Sequence, residues 1–122
     1  MNNTFSFEKL AVWQCSRELV KAVYLLLEKL PSNEKFALSD QIRRCVISIP
    51  ANIAKGSGRI SLKEKIHFIE ISYGSLMELY SHLTIANDLG YISAENFSSL
   101  KTPMFEISKM LIALRKSFQE KL

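Results

Sequence analysis

Residues 61–90 read SLKEKIHFIEISYGSLMELYSHLTIANDLG, and this stretch decides the fold. Ser61-Leu62-Lys63-Glu64 is a capping box, in which a serine hydroxyl and a glutamate satisfy the first free amides of a helix reciprocally. Ile66, Ile69, Tyr73, Leu76, Tyr80 and Leu83 then recur at alternating steps of three and four. That is one face of an α-helix. A second stripe, Phe68, Ile71, Leu79, Ala86 and Leu89, lies beside the first, and Gly90 closes the helix. Together the stripes cover more than half the wheel, whereas a helix in a lone bundle needs a face of roughly 100°. Something besides the bundle core must bury the excess.

The same periodicity extends to both sides. A first helix runs from about Phe7 to Leu30, with Val12, Trp13, Leu19, Val20, Val23, Tyr24, Leu26, Leu27 and Leu30 in one arc, and Pro31 stops it. Residues 31–38 form a loop that Phe36 and Leu38 pin to the core. A second helix is capped by Ser39 and buries Ile42, Val46, Ile49 and Ile53; the stripe keeps register across Pro50, which reads as a kink and not a break. Gly56 and Gly58 end it through left-handed conformations. A fourth helix starts after Ser93 and carries Phe97, Leu100, Met104, Ile107, Leu111, Leu114 and Phe118 at bundle spacing, through Pro103. Connections of about 8, 5 and 3 residues suit antiparallel neighbours. The predicted fold is all-α, an antiparallel up-down-up-down four-helix bundle forming a single domain over residues 1–122.

Composition agrees. The 122 residues are 48% apolar, with four glycines and three prolines, so elements are few and long. No run approaches the ~18 apolar residues of a membrane span. The opening MNNTFSFEKL lacks a basic segment followed by an apolar one, so the expected location is the cytoplasm, with no membrane partner. Cys15 and Cys45 are too few and too separated for a disulfide framework and read as small buried thiols.

Enzyme chemistry finds little support. Glu64-Lys65-Ile66-His67 matches the Glu-x-x-His pattern of a di-metal bundle once. The other histidine, His82, is roughly 22 Å away along the same helix, so the two cannot share a metal. Gly56-Ser57-Gly58 ends a helix, whereas a phosphate loop precedes one. The expectation is a non-enzymatic protein with no metal and no cofactor.

The net charge is +4 and unevenly distributed: +1 over residues 1–30, +3 over 31–60, −2 over 61–90 and +2 over 91–122. On the second helix Gln41, Arg44, Ser48, Asn52 and Lys55 form a polar stripe, flanked by Arg43 and followed by Arg59. Guanidinium forks and short hydrogen-bonding side chains suit phosphate contacts. The same stripe also reads as a solvated or subunit-facing helix surface. The candidate nucleic-acid-binding residues are Arg43, Arg44, Lys55 and Arg59, with Lys109 and Lys116 from the fourth helix as second choices. Gly74 in mid-helix costs roughly 1 kcal/mol relative to alanine, which points to close approach of another backbone. With the wide apolar arc it predicts self-association through Phe68, Ile71, Gly74 and Leu79. Trp13 and Tyr24 read as core.

Several stretches have a family look: Phe7-Glu8-Lys9-Leu10-Ala11-Val12-Trp13, Gln41-Ile42-Arg43-Arg44, Ser48-Ile49-Pro50-Ala51-Asn52-Ile53-Ala54, Gly74-Ser75-Leu76-Met77-Glu78, Leu89-Gly90-Tyr91-Ile92 and Glu106-Ile107-Ser108-Lys109-Met110-Leu111. In order and spacing the chain resembles the bacterial four-helix-bundle proteins encoded in intervening sequences of 23S rRNA genes. The resemblance implies a homopentamer. It also implies kinship with the accessory variability proteins of diversity-generating retroelements, which are nucleic-acid-binding partners of a reverse transcriptase. One departure stands out: Lys55 occupies a position where that pattern carries glutamate, which makes the second helix more basic. The functional expectation is a homo-oligomer that binds nucleic acid, RNA before DNA, electrostatically; the rival is a protein-interaction scaffold in which the acidic third helix meets the basic second helix across subunits.

Overall fold

The computed structural model describes residues 3–34 and 37–122. Four α-helices carry the chain: α1 (Ala11–Leu27), α2 (Leu38–Ser57), α3 (Leu62–Asp88) and α4 (Ala94–Gln119), with no strand among the described residues. Each helix packs on its neighbours in chain order and α4 closes on α1, so α1 and α3, like α2 and α4, are diagonal. This is the antiparallel four-helix bundle that the spacing predicts.

The core follows the stripes on α2 and α4. Ile42, Val46, Ile49 and Ile53 meet Phe97, Leu100, Met104, Ile107 and Leu111, with Leu19, Val23, Leu26 and Leu27 from α1. On α3 the buried set is a blend of the two expected stripes: Ile69, Leu76 and Leu83 from one, Leu79 and Ala86 from the other. Tyr73 and Tyr80 are only half-buried. The reason is Ser72, fully buried, whose hydroxyl donates to the Ile49 carbonyl at 2.8 Å. Small side chains let α3 approach α2 closely, and the helix turns to present this face. At the same seam, Gly56 leaves room for α3: a Cβ there would sit 3.0 Å from Cβ of Phe68.

Capping differs in detail from the sequence reading. Ser61 Oγ accepts from the Glu64 amide at 3.1 Å, the serine half of the expected box without the return bond to the Glu64 carboxylate, and Ser93 Oγ accepts from the Asn96 amide at 3.0 Å. Ser39 does not cap α2. The helix starts two residues earlier, at Leu38, Ala37 holds the cap position, and the buried Ser39 hydroxyl has no partner among the described residues. Gly58 caps α2 in a right-handed conformation, φ −85, so it is not a left-handed stop. Gly90 is (φ 76), and that turn lets the Tyr91 amide reach the Ala86 carbonyl at 2.9 Å.

The first helix is shorter than expected. Ser6–Lys9 form a separate 3-10 turn, and Leu10 is extended (φ −73, ψ 127) before α1 begins. The Glu8 carboxylate takes the Phe5 amide at 2.8 Å, and the Phe7 ring folds edge-on against Trp13, centroids 5.1 Å apart. Tyr24 is 38% exposed at the rim beneath Arg43 and is not core. Leu38 packs against the core from a half-buried position; the anchoring role expected for Phe36 lies outside the described residues.

The two cysteines differ. Cys15 is exposed, contrary to expectation, because it sits on the outer side of α1; Cys45 is buried and its thiol leans on the Ile42 carbonyl at 3.3 Å. Burial first, and the nearby Glu78 charge second, push the Cys45 thiol from 9.0 up to about 12. It therefore stays neutral and unreactive at physiological pH.

Two predictions follow from this packing. Gly56→Val should destabilise the fold by about 2–3 kcal/mol through overpacking against Phe68. Gly58→Ala, whose Cβ meets ordinary contact at 3.6 Å, should be neutral or stabilising by about 0.5 kcal/mol; urea unfolding of both variants checks the contrast. The second concerns pH. The unfolded chain ionises its thiol near 9.0 while the folded chain keeps Cys45 protonated, so this contribution is full below pH 9 and is lost as pH rises towards about 12. Over that window wild type should lose stability more steeply than Cys45→Ala, by up to about 1.4 kcal/mol per pH unit in urea titrations.

Candidate nucleic-acid interface

The polar stripe on α2 divides into an internal half and an exposed half. Asn52 is only 8% exposed and donates through Nδ2 to the carbonyl and the Oγ of Ser48, both at 2.8 Å. Ser75 of α3 donates to the same Ser48 hydroxyl at 2.8 Å. Ser48 thus bonds α2 to α3, and Asn52 buttresses it from within α2. Arg44 and Lys55 remain exposed, about 16 Å apart along the helix.

The candidate cations do not form one patch. Arg43 faces α1: it pairs with Asp40 at 3.4 Å and lies 5.7 Å from the Tyr24 ring. Lys109 pairs with Glu106 at 3.7 Å on α4, the helix diagonal to α2. Arg44 and Lys109 therefore look to opposite sides of the bundle. Lys55, Arg59 and Lys116 come together differently. Because the helices alternate in direction, the C-terminal ends of α2 and α4 share one end of the molecule with the start of α3. Arg59 sits 4.8 Å over the Phe68 ring. Lys65 donates to the Ser57 carbonyl at 3.2 Å and lies 6.0 Å from the Phe118 ring, which ties the three helix ends together.

Sequence reasoning missed Lys63, Lys65 and Lys121 at this end. Its charge tally ran helix by helix, and α3 is acidic as a whole. Up-down topology was the available signal: it adds the last turn of one helix to the first turn of the next. Among the described residues no three or more histidine, cysteine or acidic side chains converge into a group suited to a metal ion. His67 is exposed with its ring 5.6 Å from Phe68, and His82 faces Glu78 at 3.2 Å.

Of the four expected interface residues, Leu79 is corrected. It is 0% exposed inside the bundle core, because α3 is rotated to bury it against α2, and offers nothing to a second subunit. Phe68 is half-buried under Arg59. Ile71 is 36% exposed, and Gly74 faces open space, with nothing within 4 Å of an added Cβ. Close approach at Gly74 is therefore not made within the chain. Ile85 and Leu89 are exposed farther along the same helix. Between α3 and α4, Tyr73, Met77, Tyr80, Phe105 and Ser108 surround a cavity of about 300 Å³. The apolar excess anticipated for α3 is present on the surface.

No described helix is long and apolar enough to cross a membrane. A comparison with curated proteins finds no match. Among solved structures, the chain is similar to a protein of unknown function from the S23 ribosomal protein family of Bacteroides thetaiotaomicron VPI-5482. The two are 28% identical with a TM-score of 0.81, over 87% of this chain and 99% of that one. The model of the 23S rRNA-intervening sequence protein family matches residues 8–113, almost the whole bundle. On that match the chain belongs to the 23S rRNA-intervening sequence protein family.

Proposed function

We propose that the protein is a non-enzymatic homo-oligomeric bundle that binds nucleic acid, RNA in preference to DNA, through the field of its cations. One observation carries this reading. Lys55, Lys63, Lys116 and Lys121 are exposed and have no carboxylate partner among the described residues. Positive charge left unpaired at a surface attracts polyanions and releases their counterions on contact. The family's description names 23S rRNA, which favours RNA as the class.

The scaffold alternative needs the carboxylates of α3 to meet α2 of a neighbouring subunit. Glu70 already lies 4.0 Å from Arg115 of α4, and Glu78 faces His82. Both have partners within the chain, which leaves Asp88 as the third carboxylate of that alternative without an ion pair among the described residues and favours the nucleic-acid reading. Self-association is supported by the exposed apolar residues of α3 around Gly74. It matters for binding, since a ring of five, the count implied by the family resemblance, would carry a formal charge of about +20 from chains of +4.

Fluorescence anisotropy with a labelled RNA hairpin and with duplex DNA tests this. If about three phosphates are neutralised, affinity for RNA should fall about 20-fold between roughly 50 and 200 mM salt. No binding at the lower salt would retire the reading in favour of the scaffold. Light scattering should give a multiple of the 13.9 kDa chain; a monomer would remove the oligomer.

A further inference from the structure

We infer that RNA is gripped end-on, by the pole of the bundle where the α2–α3 turn meets the C-terminal end of α4, and not along the α2 face. This inference rests on the nucleic-acid reading above and locates its site. The pole gathers Lys55, Arg59, Lys63, Lys65, Lys116 and Lys121, none with a carboxylate partner among the described residues. The carboxylates near this end are Glu8, Glu64 and Glu120, and Glu8 is engaged by the Phe5 amide. At the opposite pole Glu28, Asp88 and Glu95 stand near the helix ends. The molecule therefore carries a charge difference along its long axis, and a polyanion is drawn to one end.

The pole combines several cations that lack a carboxylate partner with two that are seated on rings. Elsewhere Lys21, Arg43, Lys109 and Arg115 lie beside Glu18, Asp40, Glu106 and Glu70, which offset their charge, while Arg17 and Lys101 sit singly on the rings of Trp13 and Phe97. At the pole Arg59 rests on the face of Phe68 and Lys65 near that of Phe118. A ring face orients a cation without neutralising it. The side chains are ordered, yet their charge stays available to phosphate, and a phosphate has no resident carboxylate to displace. Ile60, at the apex of the turn between Arg59 and Ser61, is 97% exposed. An apolar side chain surrounded by cations fits a surface where phosphates meet the rim and a base or ribose meets the centre. A bilayer would need a broad apolar face beside the charge, and one isoleucine does not make one.

The test compares two double variants that remove equal charge. Arg59→Gln with Lys63→Gln alters the pole; Arg44→Gln with Lys109→Gln alters the flanks. All four side chains are exposed, and thermal melting confirms folding. With a labelled RNA hairpin, the pole variant should lose more than about tenfold in affinity at low salt and flatten the salt slope by about 1.4, while the flank variant changes less than about threefold. Ile60→Ser should weaken binding at an unchanged salt slope. Equal losses in the two double variants, or a larger loss on the flanks, would overturn the polar site and leave RNA binding intact. Wild type that ignores RNA but binds phosphatidylserine vesicles would overturn both. Should the pole variant melt early, Lys63→Gln with Lys116→Gln repeats the comparison.

Discussion

The close approach of α2 and α3 is the constraint on which the rest of the structure depends. It is made by small residues: Gly56 under Phe68, Ser72 on the Ile49 carbonyl, and the Ser75 to Ser48 hydrogen bond. Apolar burial alone would not choose this orientation, since α3 has apolar side chains around most of its circumference. The buried Ser72 hydroxyl must find a partner, and this rotation of α3 brings it to the Ile49 carbonyl. That rotation sends Leu79 and Ala86 inward. It leaves Ile71, Gly74, Ile85 and Leu89 on the surface. The seam thus determines both the core and the face available for association.

It also fixes the basic pole. Phe68 stands against Gly56 on one side and carries Arg59 on the other. One turn earlier on α3, Lys65 bridges the end of α2 and the Phe118 ring. The cations are presented by the same contacts that hold the helix ends together, so ordering them requires no carboxylates. Lys55 acts in the same direction, adding charge where α2 ends.

How far this was legible in the sequence varies by element. The stripes Ile42, Val46, Ile49, Ile53 and Phe97 to Leu111 predict their burial because each helix has one apolar face and one solution. On α3 two stripes compete, and the choice falls to Ser72, whose partner is a backbone carbonyl 23 residues away that no local pattern reveals. Leu79 was misplaced for that reason. Ser48 and Asn52 look like a solvent stripe on a wheel, since polarity says nothing about whether hydrogen bonds end in water or in protein. Arg43 and Arg44 are adjacent in sequence, yet one packs on Tyr24 of α1 and the other is exposed. The pole itself is written in the sequence, but only after topology tells which helix ends meet.

The geometry of pole and apolar face bears on why association and binding belong together. The exposed apolar residues lie along the side of α3, while the cations lie at an end. Copies joined through their sides about an axis parallel to the helices would leave every pole free and turn all of them to one face of the ring. Each subunit then adds cations to the same surface, so the local charge rises with copy number while no subunit makes a new contact with the ligand. Antiparallel association through the same face would place neighbouring poles at opposite ends and lose that gain. A chain of modest +4 charge would therefore gain most in polyanion attraction from a parallel, side-to-side assembly, and the separation of the two surfaces is what would permit it.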